Sequence, residues 1–146
     1  MCRFGGHTTR FLSVAQHSVL VSRLVRPEYA LLGLLHDAGE AYTSDIPSPW
    51  KTNLRFELGD GQVVSFREAE ARIQSAVFSA LKVSESEAAW KQVKLADAVM
   101  LAAEARGFMP HSTIPFPPGE DYEPFEAWSP VRAKAEFLCR YYELTE

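Results

Sequence analysis

Apolar positions recur at helical spacing along most of the chain. Val14, Leu20, Val21 and Leu24 follow that period behind Ser13, a good N-cap residue, and predict a helix to about Val25. Arg26-Pro27 breaks it, because proline lacks the N–H that a helix interior needs. A second helix is predicted from Pro27-Glu28, an acidic first turn, through Leu31, Leu32, Leu34 and Leu35 to about Tyr42. Ser44 to Pro49 reads as a proline-punctuated loop. Ala71, Ile73, Val77 and Leu81 mark a third helix over Arg67 to Lys82. Ser84 or Ser86 caps a fourth, which reaches about Arg106 and stops at Gly107. A proline-rich loop from Met109 to Trp128 leads to Ser129-Pro130, the N-cap and N1 pair of a last helix through Tyr142.

One segment departs from this period. Arg55 to Phe66, RFELGDGQVVSF, alternates around a Gly-Asp-Gly and reads equally as a small hairpin or an irregular loop. The predicted fold class is therefore all-α, a single domain over residues 1–146 with one possible hairpin at 55–66.

Composition narrows the partners more than the fold. At 47 % hydrophobic and 23 % charged residues the chain is of the ordinary globular kind. Its net charge is −4 and no block of like charge exceeds two residues, so a grip on polymeric nucleic acid is not expected. A small phosphorylated ligand needs only one or two cations. The apolar runs are too short to cross a bilayer, and MCRFGGHTTR lacks the apolar core of a signal peptide, so no membrane association is expected. Cys2 and Cys139 lie at opposite ends without C-x-x-C spacing, which suits a reduced, cytoplasmic setting.

The chemistry gathers around GLLHDAGEAYTSDIP, Gly33 to Pro47. His17 and His36 are nearly equidistant from the turn at Arg26-Pro27. At ~1.5 Å per residue both imidazoles should stand roughly 14 Å above it, level with one another on a helical hairpin. Asp37 lies ~100° around the helix from His36. Asp97 interrupts the apolar run VKLADAVMLA, where an unpartnered carboxylate is costly; it is either paired, with Lys94 in reach, or on a metal. Two His and two Asp make an N2O2 set suited to one divalent transition ion such as Co, Mn, Zn, Fe or Ni. Glu40, one turn beyond His36, and Asp45, past the helix end, would flank such an ion without binding it. Carboxylates beside an ion that acidifies water make a hydrolytic arrangement. Taken singly, each of these residues is more often a core, turn or surface residue. Trp50 fits either the core or a stacking wall, and His7 and His111 are given no role.

Together these residues resemble the H…HD…D pattern of HD-domain metal-dependent phosphohydrolases, an all-α helical bundle. HDAGEAYTSDIPSPWK looks like the branch of bacterial 5′-deoxynucleotidases and phage dATP triphosphohydrolases, in which the doublet is followed by Glu, by Asp-x-Pro-x-Pro and by lysine. With SVAQHS upstream, the likeness covers roughly residues 3 to 106. It implies His17, His36, Asp37 and Asp97 as metal ligands, Glu40 as the catalytic carboxylate, and Asp45 as its assistant or the holder of the attacking water. It implies substrate contacts from Asp45, Ile46, Pro47 and Ser48, while Lys51 reads first as a surface lysine, with a phosphate contact as the alternative. Arg3-Phe4 resembles the branch's Arg-aromatic pair, one residue out of its usual spacing and with Phe as the aromatic, and Arg10 competes for the phosphate role. Members of that branch carry helical sequence ahead of the pair, which this chain does not show. The implied activity is a 5′-deoxynucleotidase that converts a deoxynucleoside monophosphate to deoxynucleoside and phosphate. A dNTP triphosphohydrolase is the alternative, and a nucleotide-binding regulator on an HD scaffold the alternative of another class. A homo-oligomer is implied by the family's habit of self-association.

Overall fold

A computed structural model describes residues 1–109, 111 and 113–146. Two residues of the proline-rich loop, 110 and 112, therefore lie outside it. The described residues are mostly helical, with one two-stranded antiparallel sheet.

Helix α1 (Val14–Leu24) begins where the Ser13 side chain accepts the Gln16 N–H, satisfying one of the donors a helix start leaves free. A 3-10 turn, Pro27–Tyr29, reverses the chain into α2 (Ala30–Leu35), which packs back along α1. Gly33 permits that close approach. A Cβ there would stand 3.2 Å from both the Ser22 Cα and the Val25 Cγ2.

The second predicted helix is not continuous to Tyr42. It ends at Leu35, and a separate turn, α3 (Glu40–Thr43), follows after four residues. The cause is the Gln74 side chain. Its Nε2 donates to the Leu35 carbonyl at 2.7 Å, and its Oε1 accepts the Gly39 N–H at 2.6 Å. In an uninterrupted α-helix those two backbone groups would bond to each other. An inserted amide opens the ladder, and the local bonds tighten to i→i−3, as in Glu40 N–H to Asp37 O.

A one-turn helix α4 (Ser48–Lys51) leads into β1 (Arg55–Glu57) and β2 (Val63–Ser65), which pair Arg55 with Ser65, Phe56 with Val64 and Glu57 with Val63. The hairpin reading of residues 55–66 thus holds over the irregular loop. Ser65 then caps α5 (Phe66–Leu81), and Ser86 caps α6 (Glu87–Phe108). Helix α6 runs past Gly107, which sits in its final turn instead of stopping it. Ser129 caps α7 (Pro130–Thr145), as its Ser-Pro start predicts.

The core lies where α1, α2, α6 and α7 meet and includes Val19, Val21, Leu34, Val93 and Met100. Buried Gln16 ties the proline-rich loop to it, donating to the Glu126 carbonyl at 2.8 Å and accepting the Trp128 N–H at 2.7 Å. No helix among the described residues is long and apolar enough to cross a membrane.

Candidate metal centre and its cavity

The level placement of the two histidines is realised. His17 Nε2 and His36 Nε2 are 3.3 Å apart, with ring centroids 5.3 Å apart. Asp97 Oδ1 lies 3.2 Å from the first nitrogen and 3.9 Å from the second. Asp37 Oδ2 lies 3.6 Å and 3.3 Å from the same pair. The candidate ligand atoms of His17, His36 and Asp97 all fall within 4.8 Å of one another. Ligands ~2.1 Å from a common ion in a tetrahedral array stand about 3.4 Å apart, so this donor set fits a divalent ion. Asp97 turns toward the histidines, and its alternative reading, a pair with Lys94, is not formed.

The far side of each ring strengthens the fit. His17 Nδ1–H donates to Glu104 Oε1 at 2.8 Å, and His36 Nδ1–H donates to the Gly33 carbonyl at 2.8 Å. With both Nδ1 protons committed, a neutral pair would aim two Nε2 lone pairs at each other across 3.3 Å, among carboxylate oxygens. Only a positive charge relieves that repulsion. In the metal-free chain a proton supplies it. Burial disfavours a charged His17, but the carboxylates of Glu104 and Asp97 outweigh burial and the opposing Arg3 charge, raising its pKa to about 9. Asp37 is held below the usual carboxylate range: burial opposes this, and His36, His17 and Arg3 overcome it. Asp97 is likewise lowered, against burial, chiefly by His17.

Glu104 is the residue the sequence reading missed. It is wholly buried, and it joins His17 to Arg3, whose Nε and Nη2 each approach its Oε2 at 3.1 Å. Against burial, His17 and Arg3 keep its pKa low. A signal was present. Glu104 stands seven residues after Asp97, two helical turns along one face, inside the small apolar run Ala102 to Ala105.

Arg3, a phosphate contact by the resemblance, lines the cavity but is already engaged by carboxylates. It is buried and faces Glu104, Asp45 at 3.7 Å and Asp37 at 3.8 Å, and these carboxylates raise its pKa despite burial. Asp45 also accepts the Phe4 N–H at 2.9 Å, which pins the N-terminal turn over the site. Phe4 and Ser44 there hold positive φ values of 54° and 68°, a conformation costing about 1–3 kcal/mol each in a non-glycine residue. Arg10 is exposed and lies outside the cavity lining.

The cavity at this centre measures about 610 Å³. Arg3, Phe4, Asp45, Ile46, Pro47, Ser48 and Lys51 line it together with Asp37, Glu40 and Asp97, and so does His7, which the sequence reading left without a role. Trp50 belongs neither to the core nor to this wall: it is 68 % exposed, because the turn of α4 that points Lys51 inward points Trp50 out.

Glu40 is the one buried carboxyl near the centre that lacks a close partner. Its Oε2 has no hydrogen bond among the described residues, and Lys51 Nζ is 3.7 Å from its Oε1. Burial first, then the charges of Asp37 and Asp45, push its pKa up to about 8 against the pull of Lys51 and Arg3. Lys51 itself is bonded to Glu70 at 2.7 Å, and its pKa is raised by Glu70 and Glu40 against burial.

No family model matches the chain. It is similar to a protein of Escherichia coli strain K12 bearing the name "Uncharacterized protein YfdR", with 41 % identity over 106 residues. The match covers 73 % of this chain and 53 % of that protein, so the chain spans about half the length of the curated relative it matches.

Proposed function

We propose that the chain is a divalent-metal-dependent phosphohydrolase with an HD-type helical bundle, and that it cleaves a small nucleotide, foremost a deoxynucleoside 5′-monophosphate. One observation carries this reading. Two imidazoles with their Nδ1 protons committed gather with the Asp97 carboxylate, Asp37 Oδ2 stands 3.3 Å from His36 Nε2, and the buried Glu40 carboxyl faces the same cavity. His17, His36, Asp37 and Asp97 would hold the ion. A divalent cation supplies a Lewis acid for phosphoryl oxygens there and acidifies water.

The chain's own groups divide the remaining work. As water oxygen bonds to phosphorus and the ester P–O bond breaks, Glu40 would take the water's proton and pass one to the leaving ester oxygen. Asp45 keeps the Arg3-Phe4 turn in place over the cavity. Lys51 brings positive charge to the phosphoryl side, the part that the resemblance offers to Arg3 or Arg10. Phe4, Ile46 and Leu101 provide apolar surface for the organic half of the substrate.

Product analysis on dAMP and dATP with Co²⁺ or Mn²⁺ tests the assignment. Phosphate from dAMP supports it, and triphosphate from dATP supports the triphosphohydrolase reading, for which the cavity has room. Binding of nucleotides without turnover supports the regulator. Glu40→Gln is expected to lower turnover at least ~100-fold while metal binding is kept. Unchanged turnover in that variant refutes the role given to Glu40.

A further inference from the structure

We propose that the recess between α5 and α6 is a second anion subsite of this centre, which takes a phosphate group beyond the reacting one. The substrate side of this proposal rests on the hydrolase reading above; the site itself rests on geometry and charge. The recess, about 480 Å³, opens beside His36, Asp37, Glu40 and Lys51, so its inner wall is shared with the larger cavity. Its outer wall carries Arg67, in the first turn of α5, and Lys94, on α6.

The charges facing the recess are not balanced alike. Of its acidic groups, Asp37 is engaged by His36 and His17, while Glu40 and Glu70 face Lys51. Arg67 and Lys94 are exposed and make neither ion pair nor hydrogen bond with any described residue. Two cations that flank an opening and need break no existing pair are free to meet an arriving anion. The larger cavity sets Phe4, Ile46 and Leu101 beside its own charged groups, where Arg3 is already held by carboxylates. Apolar surface is thus added on the side of the larger cavity, and two cations without an ion pair on the side of the recess. A molecule with an organic body at one end and phosphate at the other fits that polarity in one direction. The occupant is either orthophosphate leaving after ester cleavage or the terminal phosphate of a nucleotide polyphosphate, and both present the same phosphate chemistry.

The test is titration of orthophosphate into the full chain, followed by calorimetry, for the wild type, R67E/K94E and a control of equal charge change, K91E/K134E, at exposed positions elsewhere. Phosphate affinity is expected to fall at least tenfold in R67E/K94E and less than twofold in the control. Equal losses in both variants, or no measurable phosphate binding by the wild type, overturn the subsite. The same variants titrated with dAMP and dATP separate the two sources. Selective loss of dATP affinity identifies a polyphosphate tail. Loss of phosphate product inhibition alone identifies the exit of orthophosphate. Absence of turnover with the phosphate difference intact removes the hydrolase and leaves the subsite; turnover without that difference does the reverse.

Discussion

Replacing Glu104 with alanine removes the acceptor for two buried donors at once. His17 Nδ1–H loses its bond at 2.8 Å, and the Arg3 guanidinium loses both contacts at 3.1 Å. Arg3 keeps Asp45 at 3.7 Å and Asp37 at 3.8 Å, too long for good hydrogen bonds, so its buried charge is met only in part. Breaking a buried ion pair from one side costs about 3–5 kcal/mol. With those residual partners we expect the lower end, about 3 kcal/mol, or about 10 °C in Tm for a domain of this size. E104Q keeps the volume and one acceptor, and should cost about 1–2 kcal/mol. The sign of the pH dependence follows from both partners. The lowered Glu104 stabilises the fold above its ordinary pKa, and that share is lost as pH falls through the lowered value. His17, raised to about 9 in the metal-free chain, stabilises below its ordinary 6.5, and its share is lost as pH rises through about 9. The gap between wild type and E104A is therefore widest near pH 5 to 6.5, roughly between the two ordinary values, and narrows on both sides. Urea unfolding in the presence of a chelator, repeated across pH, measures it. A gap under about 1 kcal/mol at pH 6, or one that does not vary with pH, refutes the account of a buried two-sided carboxylate.

Other outcomes are equally specific. Gly33→Ala places a methyl 3.2 Å from the Ser22 backbone, and is expected to cost about 1–3 kcal/mol and to weaken Co²⁺ binding by parting the two histidines. Unchanged Co²⁺ affinity in a destabilised G33A would show that the helix crossing does not set their spacing. Co²⁺ affinity of the wild type should rise about tenfold per pH unit below about 9, since the His17 proton must leave first; a flat profile in a chelator competition excludes His17 as a ligand. Gln74→Leu should let the Gly39 amide bond to the Leu35 carbonyl and keep its protection from hydrogen exchange, while lowering turnover more than metal affinity. Free exchange of that amide in Q74L would mean that the helix break has another cause.

Much of this arrangement was legible in the sequence because it follows from helix geometry. Equal spacing of His17 and His36 from a proline turn is a one-dimensional fact that becomes a distance once two helices pack. Ser13, Ser65, Ser86 and Ser129 each accept a backbone N–H at a helix start, and three of these four caps can be named from residue type alone. Contacts between distant segments were not legible. Nothing near His36 announces that a glutamine on another helix will part the backbone after Leu35. Arg3 looks like a free cation in MCRFGGHTTR, and only the fold surrounds it with three carboxylates. Glu104 shows the intermediate case, since its helical phase with Asp97 was visible but its two partners were not.

The Gln74 amide sets a rule for what this chain can tolerate. It separates the histidine that faces the centre from the carboxyl that would move the proton, and it does so from 35 and 39 residues away. The intervening hairpin lines neither cavity at the centre, so changes of length at its Gly59 to Gly61 tip should leave the spacing alone. A single residue inserted within α5 ahead of Gln74 would rotate that side chain by about 100° and let the 35–39 backbone bond close. Helix phase in α5, more than loop length, is therefore the quantity a redesign has to preserve. Glu40 keeps its distance from the centre only while a distant helix holds its register.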